Sequence, residues 1–584
     1  MTLGADLTGS SLGSRMLTEV VRLHGALLNA PLPLDLPGVD GLRVGRDHVI
    51  EQLEDYIIPR LTEIDAPLLV VVGGSTGAGK STLVNTLVGT RVTAPGLLRP
   101  TTRSPVLVHH PDDARWFGAD RLLPELARVH RATDDQFAIQ LVPSDAVPRG
   151  LAILDAPDVD SVDERNRELA AQLLAAADLW LFVTSAARYS DQVPWEHLKN
   201  AVDRNTAVAL VLSRTPAEDV ATVSVHLARM MAARGLKDSP LFAVPQGTVS
   251  DEGLLPASYA TEIKSWLEAL AADAAAKRDV VNQTVAGAVR TVTRKAFPIA
   301  DAVEQQVEAV GELLAVADQV YDDAQAALLA AVGDGTLLRG DLLARWQEFV
   351  GSGELVRTLE AKVGFVRERL VNAIKGKPQQ AERVGVAIEM ALEALVVDHA
   401  DRAAAAAAAA WRERSHGEAL LASTADDLAR AGRGLRSQAE QQIRAWHDEL
   451  QELVKHEAGD ARHTARFLAL GARGLAVTLG VVALAGPGVR DAHGGHGASE
   501  SVRLGRTLLE STLGQMAADR VVDQARGTLV RRLTTLMGAE RARYLAPAAG
   551  WQLKPDAPDQ LRQAARRVDD LRFAAAKKGT GGHR

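Results

Sequence analysis

Apolar and polar positions change rhythm twice along the chain. Residues 14–31 carry apolar positions at helical spacing, then break at the Pro-rich "APLPLDLPGVDG" (30–41). A second helical pattern, "GRDHVIEQLEDYIIPRLTEI" (45–64), follows. From 68 to about 250, short apolar runs alternate with helical patterns, which predicts a parallel sheet covered on both faces. The expected strands are "LLVVV" (68–72), "PVLVHH" (105–110), "FAIQLV" (137–142), "LAILD" (151–155), "LWLFVT" (179–184), "AVALVLS" (207–213) and "LFAVP" (241–245). Most are β-branched or Leu-rich without strict alternation, as strands buried on both faces should be. Past about residue 256 the strand signal stops. Long helical segments take over, among them "RAAAAAAAAWRER" (402–414) and "LRSQAEQQIRAWHDELQELVKHEA" (435–458), separated by short glycine-bearing breaks.

This pattern predicts an α/β domain, doubly wound with a mainly parallel sheet, followed by an extended all-α region. The expected divisions are N-terminal helices (1–64), the α/β domain (65–256) and a long helical bundle (257–466). An apolar helical hairpin (467–520), C-terminal helices (521–572) and a flexible tail (573–584) complete the chain. No fixed repeat period supports a solenoid. The alanine tract is strongly helix-forming, so it reads as helix.

Composition narrows the functional classes. A length of 584 residues exceeds what one core usually organises, so two to four domains are expected. The net charge of −8 and 4% aromatic content give no strong nucleic-acid signal. The absence of cysteine excludes disulfide scaffolds, thiolate metal sites and cysteine nucleophiles. The N-terminus lacks a charged-then-apolar leader pattern, so a cytoplasmic setting is expected.

The most specific chemistry lies in "LLVVVGGSTGAGKSTLVNTLVG" (68–89). Gly74, Ser75, Thr76, Gly77, Ala78, Gly79, Lys80 and Ser81 spell a complete G-x-x-x-x-G-K-[ST]. The loop's backbone N–H groups are expected to cradle phosphates at a helix N-terminus, with Thr82 opening the helix. Lys80 should reach the β- and γ-phosphates, and the Ser81 hydroxyl should ligate Mg²⁺. "LAILDAPDVDS" (151–161) supplies the second magnesium element, an apolar strand ending in Asp155, which should hold the ion through water.

With "RPTTRSPV", "DLWLFVTSAARYSDQVPW" and "VLSRTP", these motifs resemble dynamin-like and Era-like P-loop GTPases, nearest the large actinobacterial dynamin-family branch. The resemblance covers about residues 66–250, with weaker support from "RWQEFVGSGE" (345–354). It implies a Ras-like α/β P-loop NTPase fold for the domain at 65–256, GTP or GDP with Mg²⁺ as ligands, and hydrolysis by positioning and charge neutralisation. It also implies homodimerisation through the G domain and coupling through helical bundles to a membrane-binding tip.

A switch threonine should sit at Thr101 or Thr102, position favouring Thr102, which would join Ser81 and Asp155 around the metal. Lys80, Thr102 and Thr76 form the expected catalytic set, with Ser75, Arg99 and Arg103 as further helpers. No glutamine stands ready to orient water, so slow intrinsic hydrolysis is expected.

Two departures stand out. Where GTPases continue D-x-x-G, this chain has Asp158 in place of glycine. Where guanine-selecting proteins carry N/T-K-x-D, it has Ser213, Arg214, Thr215 and Pro216. Arg214 is expected to stack on the base, but no aspartate selects guanine, so ATP is not excluded. "FAVPQG" (242–247) takes the place of the last base-contacting loop. An ATP-binding-cassette subunit is disfavoured because no LSGGQ-type signature exists and Ala156 follows Asp155.

The run "FLALGARGLAVTLGVVALAG" (467–486) holds one charge, Arg473, in twenty residues. That length suits a bilayer core, yet a charge at its middle costs about 3 kcal/mol. Two readings stand side by side, a hairpin dipping into one leaflet and a buried bundle helix. Membrane contact would place the protein peripherally at the inner face of the plasma membrane. His493 and His496 in the following glycine-rich loop are assigned no metal. Two functional alternatives to a dynamin-like GTPase are an Era-like ribosome-assembly GTPase and a nucleotide-gated scaffold with little hydrolysis.

Overall fold

The strand β1 (Leu68–Gly74) is buried at every position, as are β5 (Leu151–Asp155) and β6 (Leu179–Ser185) on either side of it. A computed structural model describes residues 10–581 apart from 64, 94–103, 120, 134, 162, 352–376, 460–464 and 486–495. The remaining strands are β2 (Val106–His109), β3 (Ala127–Val129), β4 (Ala138–Pro143), β7 (Ala207–Thr215) and β8 (Leu241–Pro245). They form one sheet in the order β3-β4-β2-β5-β1-β6-β7-β8. Every pairing is parallel except β2 with β5, so the fold is the mainly parallel α/β type expected. β3 has no counterpart among the expected strands. Three residues, "ARV", are too short for a pattern, and Arg128 fixes the segment by donating to the carbonyls of Phe117 and Leu123.

The chain divides into two units. The first comprises residues 1–32, 37–305 and 554–584 and contains the sheet. Its N-terminal helices are α1 (Ser10–Leu28), α2 (Val39–Gln52) and α3 (Ile58–Thr62), the last two joined by a π-helical turn, Leu53–Ile57. They are anchored by a buried ion pair. The Arg60 guanidinium binds the Asp178 carboxylate, which also accepts from Tyr56 OH at 3.0 Å and from Leu69 N at 2.7 Å. Arg60 Nη2 further donates to Pro67 O at 2.6 Å. One carboxylate thus ties the helices to β1, and Asp178 N returns a bond to Leu69 O.

The helices that follow the strands are α4 (Lys80–Val88), α5 (Glu164–Ala175), α6 (Gln192–Asp203), α7 (Val220–Ala233) and α8 (Thr261–Ala272). Next comes the long α9 (Ala274–Gly333), within which the unit boundary falls between Gln305 and Gln306. The expected division at 256/257 therefore differs from the structural one. So does that of the C-terminal helices, because residues 554–584 return to the first unit. Buried Met16, Val20, Leu23 and Leu27 give α1 a continuous apolar stripe, and Leu561, Ala565 and Val568 give one to the last helix, Ala557–Gly581. These two helices pack together. Neither could bury its stripe alone.

The second unit is helical among its described residues. After α9 it contains α10 (Gly340–Val350), α11 (Lys377–Arg412), α12 (Ser415–Ser423), α13 (Leu435–Ala458), α14 (Ala465–Leu484), α15 (His496–Leu513), α16 (Gln515–Ala542) and α17 (Leu545–Gly550). The alanine tract lies in α11, with Ala403, Ala404, Ala407 and Ala408 buried on one face. Two indoles fix the packing, Trp411 Nε1 donating to Leu313 O and Trp446 Nε1 to Ala525 O, each at 2.8 Å.

The apolar run takes the buried-helix form in this structure. From Gly474 to Ala485 the residues of and just past α14 are buried, whereas Arg473 is exposed. A non-helical residue, Gly471 (φ 67°, ψ 167°), kinks the helix before the buried part. A Cβ at Gly480 would lie 3.3 Å from Leu450 and 3.5 Å from Ile388, so a larger side chain would press into the neighbouring helices. Among the described residues no helix is long and apolar enough to cross a membrane.

Candidate functional site

The site grows from the end of β1. Gly74 has φ 141°, and a Cβ there would meet Val183 O at 2.0 Å, so no other residue lets β1 run this close to β6. Gly77 and Gly79 also adopt positive φ, and Lys80 opens α4 directly after Gly79. Ala78 N donates to Ser75 O at 3.1 Å, closing the loop on itself. The Ser75 hydroxyl is buried with no hydrogen-bond partner among the described residues. Lys80 is buried too, its ammonium donating to Gly74 O at 3.1 Å, to Ser75 O at 3.3 Å and to Asp158 Oδ1. Thr82 is buried in the first turn, its carbonyl accepting from the Thr86 hydroxyl.

Sheet register brings the acidic element to this loop. Val72 pairs with Asp155 across β1 and β5, so the aspartate that ends β5 stands two residues before Gly74. Asp155 is fully buried. Burial raises its pKa above the ordinary carboxylate value. The Ser81 hydroxyl, the Lys80 charge and the Thr93 hydroxyl oppose that shift, and the Asp158 charge adds to it. Thr93 Oγ1 donates to Asp155 Oδ2 at 2.9 Å, while Oδ1 is buried without a hydrogen-bond partner among the described residues. An unpartnered carboxylate oxygen with a serine hydroxyl beside it is a hard-oxygen donor set, and it fits Mg²⁺.

Thr93 has no part in the sequence reading. Asn85, on α4, holds it: the Asn85 carbonyl oxygen Oδ1 accepts from Val92 N and Thr93 N, and Nδ2 donates to Thr93 O at 3.0 Å. The asparagine in "STLVNTLVG" was the available signal, being a buried amide on a phosphate-loop helix.

Thr76 is tied to a third acidic residue. Its N–H and its hydroxyl both donate to Asp160 Oδ1 at 2.6 Å, and Asp160 Oδ2 accepts from Arg188 Nη1 at 2.8 Å. Val159 N, between the two aspartates, donates to Gly74 O at 3.3 Å. Asp160 and Arg188 were quoted in motifs but given no role by sequence reasoning, since neither occupies a motif position.

On the other side of the loop, the Ser213 hydroxyl faces the carbonyls of Ala78 and Thr184, so it braces the loop. A register shift between Ser213 and Thr215, with Arg214 at φ 48°, turns the exposed Arg214 outward from β7. Its Nε lies 3.3 Å from the position of a Cβ at Gly79, placing the guanidinium beside the loop. Gln246 N donates to Thr215 O at 2.9 Å, which sets the "FAVPQG" segment next to this turn. Arg99, Thr101, Thr102, Arg103 and His493 lie outside the described residues.

Residues 70–215 match the model of the dynamin family. Over 132 residues the chain is 30% identical to "Probable transmembrane GTPase FZO-like, chloroplastic" of Arabidopsis thaliana. That match covers 23% of this chain and 13% of the relative, so the chain spans a small part of that protein's length. Neither match supports the Era-like alternative. Among solved structures the chain is similar to two chains of an oligomerised bacterial dynamin pair described as sensing and tethering membranes. One is 11% identical with a TM-score of 0.36, covering 99% of this chain and 100% of that one. The other is 12% identical with a TM-score of 0.29, covering 97% and 82%.

Proposed function

We propose that this chain, with its match to the dynamin family at 70–215, is a Mg²⁺-dependent GTPase whose nucleotide state is relayed to its helical part. The observation that carries the proposal is the meeting of Lys80, Ser81 and Asp155 at the ends of β1 and β5, with Asp155 Oδ1 buried and unpartnered among the described residues. In the bound state Ser81 and, through water, Asp155 would hold Mg²⁺, whose charge would offset that of the β- and γ-phosphates. Lys80 would turn its ammonium to the phosphates, and the loop's backbone N–H groups would orient them. Thr102 and Thr76 are proposed to flank the reacting phosphate. The GTPase name of the plant relative supports guanine as the base, with Arg214 stacking on it.

Competition binding of GTP, ATP and their diphosphates, followed by Mg²⁺-dependent turnover, tests this reading. GTP should win and turnover should vanish with chelator. ATP outcompeting GTP would overturn the base assignment, and tight binding without turnover would favour a nucleotide-gated scaffold.

Homodimerisation through the G domain and peripheral membrane contact on the cytoplasmic side belong to the same proposal. The apolar surface for such contact is α14, which must leave its buried position to reach lipid. Liposome co-sedimentation across nucleotide states checks it; no sedimentation in any state would remove the membrane clause.

A further inference from the structure

The acidic stretch after β5 is placed against the phosphate loop's own donors. An ammonium group has three N–H donors. In Lys80 all three have acceptors: Gly74 O, Ser75 O and Asp158 Oδ1. The ion pair is secluded, with side-chain exposures of 5% for Lys80 and 11% for Asp158. Two residues on, Asp160 Oδ1 takes both donors of Thr76, the backbone N–H and the hydroxyl. Arg188 then holds the other oxygen of Asp160. The Val159 N–H to Gly74 O bond pins the stretch between these contacts.

We infer that Asp158 and Asp160 form an internal phosphate surrogate, two carboxylates that engage the loop's donors and must be displaced when a nucleotide binds. The inference rests on the reading of this loop as a nucleotide site. A glycine at position 158, as the D-x-x-G pattern has it, would carry no carboxylate and leave the third Lys80 N–H to a phosphate. With Asp158 present, a polyphosphate must break a charge-assisted bond inside a secluded site before Lys80 can turn to it. Asp158 and Asp160 therefore set the affinity for the phosphate chain, independent of the base. Their release on binding also frees Arg188 from Asp160, so the presence of phosphate is transmitted to the segment after β6.

The test is equilibrium binding of fluorescent GDP and of a non-hydrolysable GTP analogue to the full chain, with unlabelled pyrophosphate as competitor. Asp158→Asn, Asp158→Gly, Asp160→Asn and the double variant Asp158→Asn/Asp160→Asn are compared with wild type. Removing either charge should tighten nucleotide and pyrophosphate alike, on the order of tenfold for Asp158, with the double variant tightest. Thermal unfolding without nucleotide should show Asp158→Asn below wild type, because Lys80 loses its counter-ion, and saturating GDP should raise it by more than it raises wild type. Asp158 variants that bind equally or more weakly overturn the inference. Weakening seen only with Mg²⁺ present also overturns it, by assigning Asp158 to the metal. A wild-type chain that binds no nucleotide sinks both this inference and the reading beneath it; a wild type that binds, with variants unchanged, sinks this inference alone.

Discussion

Replacing Thr93 by valine deletes one hydroxyl and keeps the branched shape at Cβ, so χ1 and packing are little disturbed. The lost bond is Thr93 Oγ1 to Asp155 Oδ2, inside a fully buried carboxylate whose Oδ1 has no hydrogen-bond partner among the described residues. Hydrogen bonds to charged groups contribute about 1.5–3 kcal/mol, and a buried acceptor left bare loses its full solvation as well. A loss of about 2 kcal/mol from the α/β unit is therefore expected in the absence of metal. Because burial already raises the Asp155 pKa and Thr93 opposes that rise, the variant should raise it further. The sign follows: a carboxylate with a folded pKa above its unfolded one binds more protons when folded, so stability falls as pH climbs from the unfolded to the folded pKa. The Thr93→Val penalty is thus smallest in acid, where Asp155 is protonated, and largest above the raised pKa. Urea titrations at several pH values, with and without Mg²⁺ and nucleotide, measure it. Thr93→Ser keeps the donor and should sit near wild type. Equal damage from serine and valine, or a penalty independent of pH, would refute the reasoning.

Three further outcomes are expected. Asp178→Ala strands the Arg60 guanidinium, 1% exposed, and should cost the first unit about 3–5 kcal/mol by chemical denaturation, whereas the paired replacement Arg60→Met/Asp178→Leu should recover part of it; a single-variant loss below about 1 kcal/mol would contradict this. Burial, against the opposing Gln172 hydrogen bond and helped by Glu125, Glu51 and Glu54, raises Asp55 to about 6. Asp55→Asn should therefore gain at most about 3 kcal/mol at pH 8 and nothing below about pH 4, and a pH-independent gain would count against it. Gly480→Leu should destabilise the helical unit, since even a Cβ lies 3.3 Å from Leu450; a thermal melt matching wild type would show that α14 yields easily.

The local rules of the chain were strong enough to mark most elements. Seven of the sheet's strands lie within or beside the apolar runs expected for them, most clearly β1, β5 and β6, which are buried on both faces and so run almost continuously apolar. The alanine tract and the 435–458 pattern became helices for equally local reasons. β3 was invisible because three residues carry no pattern of their own, and the segment is fixed where its Arg128 reaches the carbonyls of Phe117 and Leu123. The phosphate loop was legible as a motif, since Gly74 answers a steric demand that no other residue meets. Thr93, Asp160 and Arg188 were not, because each acts through a partner brought near by folding.

What the sequence determined by itself is the chemistry on offer: a glycine-rich loop with Lys80 and Ser81, an aspartate at the end of a buried strand, and an apolar run at 467–486. Tertiary structure decided how each is used. The register of β1 on β5 set Asp155 beside the loop, and the turn after β5 set the Asp158 carboxylate on Lys80. The packing of small residues such as Gly480 against neighbouring helices made the apolar run a core helix. The reason is one of range. Steric and hydrophobic preferences act on a residue and its near neighbours and can be read in order, whereas a carboxylate's partner is fixed only once the chain has brought it there.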